Sequence, residues 1–476
     1  MSDLEAITRT GAVTVLEQET VEALKASLGG ELLLPGSDGY DDTRTIWNAM
    51  IDKRPALIAR CSGTADVIAA VKFAREYDLL LSVRGGGHNI AGTALCDDGL
   101  TIDLSGMKGL HVDLKTHKVR AQPGCKLGDL DRETQIFGLA VPAGIVTDTG
   151  IAGLTLGGGF GWLTRRFGYT CDNLVSADVV TADGSFLKAS EKENSDLFWG
   201  LRGGGGNFGI VTSFEYQAYP VGPQVTAGMV IHPIDRAREV VGFFREFSAN
   251  APEELCCVLI LRLAPPAPFL SKDVHGKPIV AIAVCHSGSL EDGERAVRPL
   301  KELGNPLADI IAPKPFAVHQ TLFDVAMAPG RHYYWKSHYL PEFLEAAGGV
   351  LMDHAAKITS PHSSIFLFQL GGALARFGET DTPAGNRNAA YVLNVAASWE
   401  DPAQADEHIA WSRECWSAMQ QFSTGGVNVN FLTGEEGDKR IRAAYGEANY
   451  ERLVELKNKY DPQNMFRLNQ NIPPSV

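Results

Sequence analysis

The sequence predicts an α+β fold in two domains, and three observations carry that prediction. The chain has 476 residues, more than one ordinary hydrophobic core organises. Its first half alternates short strands and helices between glycine-rich turns. From Pro220 onward longer strand candidates alternate with helical patterns, as in one antiparallel sheet with helices over a face. Hydrophobic residues make up 45% and charged residues 21% of the chain, the balance of a globular protein and not of a disordered one.

Residues 20–80 read as helix and strand in turn. In SGTADVIAAVKFAREYDLLLSV, Thr64 is the expected N-cap, and Val67, Ala70, Val71 and Ala74 share one helical face. A β-rich run then leads into RGGGHN at 84–89. From 99 to 122, GLTIDLSGM and GLHVDLKTHKVRAQPG give short strands bounded by turns. SADVVTADGSFLKAS, 176–190, is a hairpin turning on Asp183-Gly184. Further strands are expected at 226–232, 255–264, 278–285, 332–339, 364–372 and 389–399, with helices at 234–249, 290–303, 340–357 and 402–421. The stretch 425–438, GGVNVNFLTGEEGD, reads as a last strand. A final helix stops before Asp461-Pro462 and leaves an extended tail.

Composition narrows the function classes. A formal net charge of −14 argues against a general electrostatic role on nucleic acid or an anionic membrane. No apolar run approaches bilayer length, and the first twenty residues lack a secretory signal pattern, so a cytoplasmic location is expected. Eight cysteines at 61, 96, 125, 171, 256, 257, 285 and 415 form no CxxC pair and read as reduced, mostly buried thiols. No HExxH occurs, so no metal is expected.

Three glycine clusters stand out: RGGGHN at 84–89, GLTLGGGFGW at 153–162 and LRGGGGNFGI at 201–210. The last holds a literal GxGxxG at Gly204, Gly206 and Gly209, but IVTSFEYQAY after it reads as a strand and not a helix. The Rossmann reading therefore fails, and no GxxxxGK[ST] is present. Glycine in ordered structure costs about 0.5–1 kcal/mol relative to alanine. Close approach to a large ligand with phosphates would account for all three clusters.

These clusters, with DLFWGLRGGGGNFGIVT and the final YDPQNMFRLNQNI, resemble the berberine-bridge-enzyme-like FAD-linked oxidases of bacterial type, within the vanillyl-alcohol-oxidase superfamily. The resemblance covers essentially the whole chain. It implies a two-part FAD-binding domain, 1–219 and 420–476, with an inserted substrate domain, 220–419. It places FAD against Arg84, Gly85, Gly86, Gly87, His88, Asn89 and Gly92 in the first cluster. In the second it implies Val146, Gly150, Gly153, Leu154, Gly157, Gly158, Gly159 and Gly161, and beyond them Asn207, Gly209, Ile210, Val211, Asn469 and Asn471. It also implies a covalent bond from His88 to the flavin 8α-methyl carbon. Many relatives add a second bond from a cysteine, and in PAGIVTDTG that place falls to Val146, which implies a single link through His88.

Thr149 stands where the family governs oxygen access, either as a substitute for valine or as a hydroxyl that positions oxygen. The implied reaction takes hydride from a small organic donor, at a C–H next to a hydroxyl or amine, and passes the electrons to O2 as hydrogen peroxide. A dehydrogenase, a flavin-N5-oxygenating enzyme and a flavin-binding protein without turnover are the rival readings. Candidate substrate contacts are Tyr334 and Lys336 on one face of HYYWKSHYL, with Tyr333 and Trp335 on the other, then Gln369, and Asn428 and Asn430. Asn428 falls where relatives carry a tyrosine and cannot act as a base. The expected base is Tyr334 or Lys336, or else water or a histidine such as His338. The expected partners are a small-molecule donor and O2, with no nucleic acid and no membrane.

Overall fold

In the computed structural model, which describes residues 3–475, the glycine-rich half is built on two sheets. The first orders Glu31–Leu33, Leu57–Arg60, Leu100–Asp103 and Leu81–Arg84. Its last three strands run parallel, which demands a crossover, and helix Thr64–Glu76 supplies it. Val67, Ala70, Val71 and Ala74 close that helix onto Leu57, Leu81, Leu100 and Ile102. The helix starts one residue earlier than Thr64 as cap would require: Gly63 is the N-cap and makes no side-chain bond. Asp66 holds the turn instead, its carboxylate accepting the backbone N–H groups of Gly29, Gly30 and Ser62.

The second sheet is antiparallel and orders Phe186–Ser190, Leu174–Val180, Ile210–Gln217, Lys118–Ala121 and Leu110–Asp113. Its hairpin turns through Gly184 at φ +78°, a conformation that glycine adopts without strain.

From Gln224 the chain builds a larger antiparallel sheet. Its path runs Ala308–Asp309, Gln224–Pro233, Pro278–His286, Leu255–Leu263, Ser364–Gln369, Tyr391–Trp399 and His332–Leu340. Helices Ala237–Ala249, Leu290–Lys301, Glu345–Ala355 and Ala405–Met419 cover one face, meeting Ile365, Leu367, Leu393 and Val395. The other face, with Val258, Ile260, Phe366, Phe368 and Val392, packs against Trp47, Ile90, Val146 and Phe160 of the glycine-rich half. Side chains alternate between these two environments at every residue.

Residues 425–438 do not form the expected strand. Thr424 N–H donates to Tyr339 O and Tyr339 N–H donates to Gly426 O, and pairing with the sheet edge then stops. Asn428 caps a short 3-10 turn, Val429–Phe431, by accepting the Asn430 N–H on its own side chain. A local side-chain bond has displaced the ladder.

Helix Glu447–Tyr460 returns to the glycine-rich half. Lys457 and Asp461 form a fully buried ion pair at 2.6 Å. Lys457 also donates to Asn207 O and Phe466 O, and the Asp461 carboxylate accepts the N–H groups of Met465 and Phe466. With every charge so satisfied, the tail is fixed where it follows the helix.

Candidate active site

A cavity opens between the glycine clusters and the larger sheet. Gly85, Gly86, Gly87, His88 and Asn89 line it from the first cluster, and Val146, Thr149, Gly150, Gly153, Leu154, Gly157 and Gly159 from the second. Gly209, Ile210, Val211 and Asn469 line it too, as do Gly205, Gly206, Phe466 and Gln470, which sequence reasoning missed.

Six expected residues lie off the wall. The Arg84 guanidinium turns to Asp103 and to Thr43 O. Gly92, at φ +69°, packs on Ile51, and Gly158 borders a separate small pocket beside Tyr169. A Cβ at Gly161 would lie 2.1 Å from Ala143 O. Asn207 ties Gly204 O and Gln470 O, and accepts the Ile472 N–H, from behind the wall. Asn471 lies outside the cavity with its Oδ1 buried.

The wall glycines serve two purposes. Gly86 and Gly150 cross back to back, and a Cβ on Gly86 would lie 2.4 Å from Gly150 Cα. They are glycine so that two loops can touch. A Cβ on Gly153 would meet no protein atom within 4 Å, and one on Gly206 would meet only Asn469 Nδ2 at 4.0 Å. Nothing in the chain forbids a side chain there, so these two keep space for an occupant.

Among the described residues no Asp, Glu, Lys or Arg lines this cavity. Burial pushes His88 down to about 4, so the imidazole is neutral near pH 7. His88 Nε2, Trp335 Nε1, Asn394 Oδ1, Asn469 Oδ1 and the Tyr445 hydroxyl are buried there without a hydrogen-bond partner. An unsatisfied buried group costs about 1–3 kcal/mol. Several around one space mark a site that a ligand completes.

The end of the cavity under the larger sheet is aromatic. Phe160 meets Phe368 edge-on at 5.4 Å and Phe431 at 5.7 Å, and Trp335 meets Phe431 at 5.3 Å. Phe366 stacks on Phe368, and Asn394 and Asn428 bring polar groups.

Tyr334, Lys336, His338 and Gln369 are not here. They leave the sheet on the helix-covered face, which corrects the expected assignment of the base. The Tyr334 hydroxyl meets Glu435 and accepts from Arg413 Nε at 2.9 Å. Lys336 Nζ lies 2.8 Å from Glu436 and 2.9 Å from Glu435. Burial pulls the Lys336 ammonium down, but its bonds to these carboxylates more than reverse the effect and keep it charged. The Gln369 amide donates to Ser248 O, and His338 Nε2 faces Trp416 O at 3.0 Å.

Asn428 does line the cavity, and it is locked. Its Nδ2 donates to the Tyr339 hydroxyl at 3.1 Å, which meets the Tyr169 hydroxyl at 3.2 Å. Burial raises both phenols above the usual tyrosine range. Asn430 also reaches the wall, donating to Leu154 O. No cysteine lines the cavity among the described residues, and Val146 is the side chain at the expected second attachment point. Asn394 was missed although it is the only amide in the apolar run YVLNVAASW, a signal that was available.

Comparison with known proteins completes the picture. An FAD binding domain model matches residues 55–190, and a berberine and berberine-like model matches 428–473. The chain is 32% identical to (R)-6-hydroxynicotine oxidase of Paenarthrobacter nicotinovorans, over 95% of this chain and 98% of that protein. It is 31% identical to an FAD-linked oxidoreductase of Dictyostelium discoideum, over 94% of this chain and 95% of that one.

The chain belongs to the berberine-bridge-enzyme-like FAD-linked oxidases.

Its fold agrees. The crystal structure of 6-hydroxy-D-nicotine oxidase from Arthrobacter nicotinovorans superposes with a TM-score of 0.85 at 29% identity, covering 94% of this chain and 99% of that one. As a member of the family, the protein is an FAD-dependent oxidoreductase of the oxidase kind. The residues present fit FAD. Bare Gly153 and Gly206 leave room, the lining among the described residues carries no Asp, Glu, Lys or Arg, and buried polar atoms lack partners.

Proposed function

We propose that this oxidase acts on a neutral aromatic donor, at a C–H beside a nitrogen carrying a lone pair, with FAD held by one covalent bond to His88. The observation that carries the reading is the charge-free aromatic end of the cavity, with Trp335, Phe160, Phe366, Phe368 and Phe431 around two amides. Flat apolar donors gain from edge and face contacts with such rings. Sugars, which need many hydrogen bonds, do not.

FAD, when bound, supplies the two-electron acceptor that takes hydride and delivers the electrons to O2 as hydrogen peroxide. The chain does the rest. Gly85, Gly86, Gly87 and Gly206 offer backbone N–H groups to the pyrophosphate, whereas the Gly205 N–H is taken by Leu156 O. His88 is neutral near pH 7 and so keeps a nucleophilic lone pair. Valine at 146 leaves no thiol for a second bond. The carbonyl oxygen of Asn394 is free to orient a donor N–H or O–H.

Asn428, with its oxygen committed to Asn430 N–H, has N–H to offer and no basic lone pair. Among the described residues no side chain lining this end takes a proton near pH 7. Hydride loss must then be driven by the donor's own lone pair, which favours an amine over an alcohol. The substrate printed in the name of the (R)-6-hydroxynicotine oxidase relative points the same way. Eight unpaired, buried cysteines suit a reducing cytoplasm.

An anaerobic donor screen tests the reading. Aromatic secondary and tertiary amines are expected to bleach the flavin absorbance faster than aromatic alcohols or oligosaccharides. The rate should rise with pH along the donor amine's own ionisation. Faster reduction by sugars would sink the assignment. Acid precipitation should leave flavin on the wild-type protein and release it from His88→Ala.

A further inference from the structure

The imidazole of His88 is held from outside its own loop. The residues before it, Gly85, Gly86 and Gly87, have no side chains to pack against it, and Gly87 sits at φ +67°. A glycine loop lets a following side chain swing. What stops His88 from swinging is Trp47, buried at 3% exposure. The two rings stack at 4.1 Å between centroids and 20° between planes. Tyr333 stacks on Trp47 in turn, at 3.7 Å and 17°, and Trp335 meets it edge-on at 5.2 Å.

The tryptophan is itself tied down. Its backbone N–H donates to Gly87 O at 3.1 Å, and its Nε1 donates to Met327 O at 2.7 Å. Next to it, Asn48 donates to Ile90 O and Tyr333 O, and accepts the Tyr333 N–H. This short segment bolts the His88 loop to the edge strand of the larger sheet. The His88 Nε2 has no protein partner, so no hydrogen bond from that nitrogen sets the ring's angle. The stack does.

We propose that Trp47 is a positioning residue for flavin attachment, clamping the His88 ring in the plane from which it meets the cofactor. This rests on the covalent His88 reading above. Attachment joins an imidazole nitrogen to the flavin 8α-carbon. It releases one proton from the methyl group and one from the imidazole, and two electrons that dioxygen removes as hydrogen peroxide. Such a bond forms fast only when nucleophile and carbon are aligned before reaction.

The test follows attachment itself. Full-length protein from riboflavin-limited cells is mixed with FAD, and acid-stable flavin fluorescence is read on denaturing gels over time, with noncovalent FAD affinity measured in parallel. Wild type and Trp47→Phe, which keeps a ring, are expected to attach at similar rates. Trp47→Leu and Trp47→Met should bind FAD as wild type does yet attach it roughly 10- to 100-fold more slowly, the penalty of a misaligned group. Tyr333→Leu, which removes the backing of the stack and leaves Trp47 in place, should slow attachment several-fold.

A ring-less variant at 47 that binds and attaches at the wild-type rate overturns the clamp, and so does an unchanged rate in Tyr333→Leu. Wild type without acid-stable flavin would instead remove the His88 reading beneath it.

Discussion

Asn394 is the one side chain through which the strand Tyr391–Trp399 brings a polar atom to the cavity, and its Oδ1 is unpaired. Asn394→Leu should slow anaerobic flavin reduction by roughly 5- to 150-fold, the equivalent of losing about 1–3 kcal/mol of buried hydrogen bonding to the donor. An unchanged reductive rate would move the donor away from this strand. Thr149 belongs to the other half-reaction. Its backbone is fixed by bonds to Val146 O and from Leu127 N–H, and the residue lines the cavity. Thr149→Leu adds bulk and should slow reoxidation of reduced flavin in stopped flow. Thr149→Val separates bulk from hydroxyl: a change within a few-fold means that size alone matters, and a larger loss means that the hydroxyl positions oxygen. Both asparagine and threonine were readable from local signals, a lone amide in an apolar run and a fixed offset from PAG. Gly153 and Gly206 were not separable from Gly86 and Gly161 in the same way. Glycine that touches backbone and glycine that keeps space are one letter in a sequence.

The strand His332–Leu340 shows where reading by element fails. All but its first residue are buried, because one face packs on helices and the other on the glycine-rich half. A strand buried on both sides has no polar alternation to tell its faces apart. Choosing Tyr334 and Lys336 over Tyr333 and Trp335 was therefore a choice without a signal, and a one-residue error inverts every contact. Strand and helix positions survived better, since their lengths and caps are local. The last segment, 425–438, misled because its β-branched spacing gave no hint that Asn428 would cap a turn. The charged cluster behind the sheet has its own expected behaviour. Lys336→Met leaves Glu436, itself only 4% exposed, with Arg440 alone. Breaking a buried pair this way costs about 3–5 kcal/mol, read as a lower midpoint in urea. A variant as stable as wild type would show that the cluster contributes little.

Across the whole molecule, buried histidines set the response to acid. Burial pushes His88 and His338 down to about 4 and His319 to about 3, and five more histidines are displaced in the same sense. In the unfolded chain an imidazole titrates near 6.5. Below that pH the unfolded state takes up protons that the folded state refuses, so stability is full above about 6.5 and falls as the pH drops toward the depressed values. Asp131 runs the other way. Burial lifts its carboxyl to about 7, so it contributes stability in acid that is lost as pH rises through 7. The histidines outnumber it. The thermal midpoint of the flavin-free protein should fall between pH 7 and pH 5, and a midpoint that rises on acidification would contradict the buried, neutral imidazoles.

The cavity wall is also a statement about time. Gly85–His88 emerge from the ribosome early, whereas Phe466, held by the Lys457–Asp461 pair, and Gln470, held by Asn207 and Leu432, complete the opposite side. A nascent chain cannot enclose its cofactor while that last segment is still in the exit tunnel. Loading therefore waits until that segment has left the tunnel. A nonsense change before Asp461 should yield a flavin-free protein even though every residue of the three glycine clusters has been made.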